Sequence, residues 1–119
     1  MRTLALLVVT WAGACARAQV AQQGDPARGE RRFAEIGCNG CHLVNGVGGM
    51  VGPDLAGVAS RPLRERARWA SVAVYLSESI RQPRTYVVPG FPPDMPSSEK
   101  LKLTDRDVRD LVAYLLTLP

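Results

Sequence analysis

Two thiols and an imidazole stand within five consecutive positions, Cys38-Asn39-Gly40-Cys41-His42. Cysteines three apart on a turn bring both sulfurs to one side, and the C-x-x-C-H order is the attachment signature of c-type haem. Each thiol can form a thioether to one of the two vinyl groups on one edge of the ring, and the adjacent imidazole then lies under the iron. Covalent attachment holds a redox cofactor in a domain too small to enclose it securely by packing. The chain has one His, so His42 meets no competitor as proximal ligand. The same C-x-x-C spacing also serves thioredoxin-type dithiols and half of a zinc site. A thioredoxin motif wants a preceding strand in a βαβ setting, and a closed zinc site wants four ligands where two Cys and one His supply three. For the sixth iron position the candidates are Met50 and Met95. Methionine sulfur is a soft donor that raises the reduction potential of a His-ligated c-type haem. Met50 follows His42 by only eight residues, so its loop would have to double around the ring at once. Met95 arrives from a separate, proline-stiffened segment, and the spacing favours it. The competing role for either Met is gap-filling in the core.

These residues need elements to position them. Asp25-Pro26 reads as an N-cap followed by proline at the first helical position, and Gly37 as a C-cap, which predicts a helix to about Ile36 with Phe33 and Ile36 facing inward and Gly29 one turn before Phe33. From Cys38 to Pro53 a high density of glycine breaks any helix and predicts a tight loop that holds the chemistry. Residues 54–59 suit one or two helical turns, and Arg61 to Arg68 is a basic linker. A second helix is predicted from about Trp69 to Arg81, with Val72, Ala73, Leu76 and Ile80 on one face and Pro83 marking its end. Residues 83–97 carry five prolines and Gly90, so they form an extended, stiffened loop that presents Met95. The last helix is signalled by Thr104 with Asp107 in a capping-box pair and by Val108, Leu111, Val112, Leu115 and Leu118 at helical spacing. No strand pattern of useful length appears, so the fold class is all-α.

The N-terminus reads as an address. Arg2, the apolar stretch 3–14 and Ala16-Arg17-Ala18 resemble a secretory signal cut after residue 18, leaving a flexible leader over 19–25 and one domain over 26–119. The apolar stretch is too short to span a bilayer. Cleavage removes Cys15 and leaves Cys38 and Cys41 in an oxidising, periplasmic compartment. In the rival reading, Ala12-Gly13-Ala14-Cys15 is a degenerate lipoprotein box and Cys15 carries a lipid anchor. Loss of Arg2 and Arg17 from the 15 basic residues leaves 13 against 11 acidic ones, too balanced for a nucleic-acid surface. With 46% hydrophobic and 22% charged residues the chain is neither disordered nor multispanning. Two Phe, two Trp and three Tyr are few for a core, so something beyond side chains has to complete it.

Taken together, residues 26–118 resemble the class I c-type cytochromes: a helix, C-x-x-C-H, a G-P-x-L segment, a middle helix ending before proline, a loop bearing Met, and a closing helix, in that order. The resemblance implies a small cytochrome c fold of three main helices wrapped around one covalently bound haem c, with Cys38 and Cys41 as thioether residues and His42 and Met95 as axial iron ligands. It implies that Gly29 and Phe33 pack across the last helix against Leu111 and Tyr114, and that the Pro53 carbonyl in Gly52-Pro53-Asp54-Leu55 accepts a hydrogen bond from the free nitrogen of the ligand His. It further implies Arg61 near a haem propionate, and Trp69 and Tyr86 lining the haem pocket or bonding its propionates. Ser79 stands where some relatives place a tyrosine that bonds the Met sulfur.

The expected function is one-electron carriage between periplasmic or membrane-bound redox partners, such as respiratory or dehydrogenase complexes, by a monomer that transforms no small-molecule substrate and binds no nucleic acid. The first alternative is a fixed haem subunit of a larger dehydrogenase or oxidase complex, which an exposed apolar patch around Val47, Met50, Val51 and Phe91 would favour. The second is a haem sensor or weak peroxidase with an open sixth site.

Overall fold

The computed structural model describes residues 23–61 and 68–118, which form three α-helices: α1 over Pro26–Ile36, α2 over Val72–Arg81 and α3 over Asp105–Leu115. One 3₁₀ turn, Cys38–Gly40, follows α1. Among the described residues the only strand-like pairing is an isolated bridge between Val44 and Val47, so the all-α expectation with three main helices stands. The predicted signal with Cys15, residues 19–22 of the leader, and Arg64 and Arg66 of the linker lie outside the described residues. No described helix is long and apolar enough to cross a membrane.

Local signals start and stop α1 and begin α3 where the sequence predicts. Asp25 Oδ1 accepts the amides of Ala27 and Arg28 at 2.9 and 3.1 Å, and Pro26 opens the helix with φ already set and no amide to leave unpaired. Gly37 closes it at φ 84°, a left-handed conformation in which its amide donates back to Phe33 and Ala34 carbonyls. At α3 the exchange is reciprocal: the Asp107 amide donates to Thr104 Oγ1 at 3.1 Å and the Thr104 amide to Asp107 Oδ2 at 2.9 Å. The helix ends at Leu115, earlier than the apolar spacing suggested, yet Leu118 remains buried in the core beyond it.

The α1–α3 crossing is the tightest contact in the fold. A Cβ at Gly29 would run into the Asp110 carbonyl and come within 2.8 Å of Tyr114 Cβ, so the two backbones meet only because this residue lacks a side chain. One turn later Phe33 meets Tyr114 edge to face, centroids 5.5 Å apart, and Phe33, Val108, Leu111 and Leu115 are buried together. Polar pairing brackets this apolar contact. Asp110, 3% exposed, accepts from the Asp25 amide at 2.7 Å and from Arg28 Nε and Nη2 at 2.9 and 3.1 Å, while Arg32 Nε donates to Asp107 at 2.8 Å. The leader therefore docks on α3 by Gly24 and Asp25, since Gly24 also lies against the backbone at Arg109 and Asp110.

Two expectations are corrected. The middle helix starts at Val72 rather than Trp69 because Ser71 accepts the Val74 amide and caps it there, which leaves Trp69 free to pack outside the helix. Residues 54–59 form turns and no helix: Asp54 Oδ1 captures the Ala56 amide at 2.9 Å, and Gly57 at φ 73° takes the backbone out of helical space. Pro83 follows the α2 C-cap Gln82 as expected, and Arg81 Nη1 donates to Asp105 Oδ1 at 2.6 Å, fastening the end of α2 to the start of α3.

Gly29→Ala is expected to destabilise the protein by about 1–3 kcal/mol through overpacking, seen in thermal unfolding as a drop of several degrees in Tm. Burial alone would push the Asp110 carboxyl up, but the Arg28 guanidinium and the Asp25 amide outweigh it and hold it below the usual carboxylate range. A group depressed in the folded state stabilises above its unfolded pKa of about 4 and loses that contribution as pH falls through the folded value. Chemical denaturation across an acid series is expected to show stability falling below about pH 4, with a shallower fall in Asp110→Asn.

Candidate functional site

The site begins where α1 ends. Gly37 turns the chain, and the 3₁₀ turn that follows is closed by Cys41 and His42 amides donating to the Cys38 carbonyl at 3.2 and 3.0 Å. This coil brings Cys38, Cys41 and His42 to line one cavity. Neither cysteine is in a disulfide; Cys38 is half-buried and Cys41 exposed. Burial pushes the Cys38 thiol up from its ordinary range.

His42 is held from two directions. Its Nδ1 lies 2.7 Å from the Pro53 carbonyl oxygen, and an oxygen without a proton requires Nδ1 to carry one. In the neutral ring the lone pair is then on Nε2, the tautomer needed for a metal ligand bonded through its far nitrogen. A Cβ at Gly52 would fall 2.5–3.0 Å from three atoms of the imidazole, so this glycine lets the loop press flat against the ring. The return of the loop is fastened by the Gly52 amide donating to the Cys41 carbonyl at 2.8 Å and the Leu55 amide to Leu43 at 2.9 Å. Between these bonds Asn45 and Gly46, both at positive φ, turn the chain so that Val44 and Val47 exchange two backbone hydrogen bonds.

The cavity measures about 480 Å³, within the ~300–1,000 Å³ of small-molecule and cofactor sites. Its walls are largely apolar: Phe33, Leu76, Ile80, Leu111 and Leu115 from the helices, and Phe91, Pro92, Pro93, Met95 and Pro96 from the proline-rich loop. Met95 lines it at 36% exposure, whereas Met50 is 78% exposed and is not among the lining residues. Pro53, Arg61, Trp69 and Tyr86 line it too, so all eight residues singled out from the sequence are brought together. Two of them have commitments the sequence did not reveal. Arg61 Nη2 donates to the carbonyls of Asp54 and Ala56 at 2.8 and 2.7 Å and so braces the turn after Pro53. The indole N–H of Trp69 goes to Glu78 Oε2 on α2 at 2.7 Å.

Tyr75 was missed. Its ring lies edge to face with Trp69 and Tyr86, centroids 4.9 and 6.1 Å away, and all three aromatics line the cavity. Burial pushes its hydroxyl up, opposed by a hydrogen bond with Ser79 one turn later. The only signal for it in the sequence is that i,i+4 relation to Ser79.

An attached haem fits this arrangement: two unpaired thiols, an imidazole whose free nitrogen is set by its other bond, one thioether sulfur and an apolar enclosure of the right size converge. A bare metal does not, since no cluster of three or more His, Cys, Asp or Glu among the described residues is placed to hold one. Comparison with protein families gives a match to the model described as Cytochrome c over residues 26–119. No curated protein matches the chain.

Gly52→Val is expected to cost the haem-loaded protein about 1–3 kcal/mol by driving a side chain into the imidazole. Gly40→Ala, where a Cβ meets nothing within 4 Å, is expected to stay within about 0.5 kcal/mol. Thermal melts of the two variants side by side check both.

Proposed function

Because the chain belongs to the cytochrome c family, whose members attach haem c covalently and carry electrons rather than transform substrates, we propose that it is a monohaem carrier passing single electrons between periplasmic or membrane-bound redox proteins. Cys38 and Cys41 would carry the thioethers, and His42 Nε2 and Met95 Sδ would hold the iron. When bound, the haem supplies a one-electron couple between ferrous and ferric iron.

The observation that carries this reading is the double restraint on His42 inside a cavity that also takes in both cysteines and Met95. The Pro53 carbonyl raises the donor strength of the imidazole. Pro92, Pro93 and Pro96 limit the backbone freedom around Met95, so that a ligand sulfur is held in one place. Apolar walls exclude water, and side chains that move little on a change of charge keep the cost of each transfer low. Arg61 lines the cavity and would supply a cation for a haem carboxylate at its edge.

One observation favours the second reading, a fixed subunit of a larger complex: Val47, Met50 and Val51 are exposed together in one loop, although Phe91 is half-buried. Sedimentation of the mature haem-loaded protein separates the two, with a monomer at all concentrations expected for a free carrier and aggregation without partners for a subunit.

The ferric protein is expected to show the weak far-red band of sulfur-to-iron charge transfer. Met95→Ala should abolish the band, allow carbon monoxide to bind the ferrous form readily, and lower the potential by on the order of 0.1 V, a fraction of the roughly 0.8 V that axial ligands span. Met50→Ala should change none of these. A wild-type protein that binds carbon monoxide readily and lacks the band would instead support a sensor or peroxidase.

A further inference from the structure

From Gly37 to Pro53 the chain contains no Asp, Glu, Lys or Arg. The same run holds three conspicuously exposed apolar side chains, Val47 at 70%, Met50 at 78% and Val51 at 51%. Cys41 and Val51 are at once exposed and part of the cavity lining, so this run forms the cavity's rim. A second uncharged run, residues 85–93, adds Phe91, Pro92 and Pro93 to the same lining. Among the described residues the charged lining is Arg61, whose Nη2 is committed to the Asp54 and Ala56 carbonyls, and Asp94; Arg28, Arg32 and Arg81 are engaged with carboxylates, and Lys100 and Lys102 follow Met95 in the turn before α3.

We propose that the uncharged apolar run 37–53 on this rim is where an electron-exchanging protein partner docks, and that the partner's matching face is itself apolar and uncharged, so that docking is insensitive to salt. The proposal rests on the carrier reading above and adds the chemistry of the partner surface. A charge on the partner set against residues 37–53 would lose its hydration and find no counter-charge within that run, which selects against charged faces. Three aliphatic side chains are too few for a stable dimer, which buries about 1,600 Å², but suit a redox encounter at under about 1,200 Å². A lipid surface would call for Lys, Arg, Trp or Tyr beside the aliphatics, and residues 37–53 contain none.

The test uses haem-loaded protein and gold electrodes coated with methyl-terminated or carboxylate-terminated alkanethiol monolayers. On the methyl surface a wave from adsorbed protein is expected, of unchanged size between about 10 and 500 mM salt, over which the Debye length falls from about 30 Å to under 10 Å. Val47→Lys combined with Met50→Lys should cut the adsorbed amount at least about tenfold while leaving the potential in solution unchanged; Lys100→Glu with Lys102→Glu should leave it intact. Adsorption only on the carboxylate surface, lost as salt rises, would overturn the proposal in favour of docking through the cations. Co-flotation with neutral phosphatidylcholine vesicles, or a dimer in sedimentation abolished by the same double variant, would overturn it in favour of lipid or a second copy. Absence of a reversible one-electron couple in a solution titration would instead defeat the carrier reading itself.

Discussion

The ring of His42 is fixed by a hydrogen bond from Nδ1 to the Pro53 carbonyl on one side and by the bare backbone of Gly52 on its face. That pair of contacts decides which nitrogen is free and where it points, and much of the surrounding chain serves to keep Pro53 in place. The loop from Cys41 to Leu55 is closed twice by backbone bonds, and Arg61 ties down the carbonyls just beyond the proline. A ligand set by several weak restraints resists displacement when the charge beside it changes, which is the property an electron carrier needs.

α1 anchors the start of this loop. α1 delivers Cys38 directly from its C-cap, so the angle at which α1 crosses α3 sets where the thiols lie. Gly29 permits that crossing, Phe33 and Tyr114 fill it, and Asp110 locks it by accepting from both Arg28 and the Asp25 amide. A charge buried to 3% exposure is tolerable only because its oxygens are bonded from two directions. α2, fastened to α3 through Arg81 and Asp105, carries Leu76 and Ile80 to the cavity wall and Glu78 to Trp69. The small supply of large side chains is thus spent around a cavity, consistent with a core that a bound group completes.

What was legible in the sequence is what is encoded locally. Asp25-Pro26, Gly37, and Thr104 with Asp107 act within a few residues of themselves, and they place α1 and the start of α3 correctly. The start of α2 is set by Ser71, whose side chain accepts the Val74 amide, a local cap that the apolar face from Val72 does not reveal. The turns at 54–59 depart from the helical expectation because the Asp54 carboxylate closes a turn that Gly57 then diverts. The site's backbone partner at Pro53 came from the resemblance to a family and not from spacing. Tyr75, the Trp69–Glu78 bond and the press of Gly52 on the imidazole were hidden because each joins side chains or backbone brought together only by the folded chain.

In the proposed ligation His42, with its Nδ1–H committed to Pro53, and Met95 would share the iron between them. Proton NMR of the reduced, haem-loaded protein tests it most directly. One methionine methyl carried far upfield by the ring current and assigned to Met95 is expected, together with a slowly exchanging Nδ1 proton on His42. A shifted methyl belonging to Met50, or no shifted methyl at all, would contradict it.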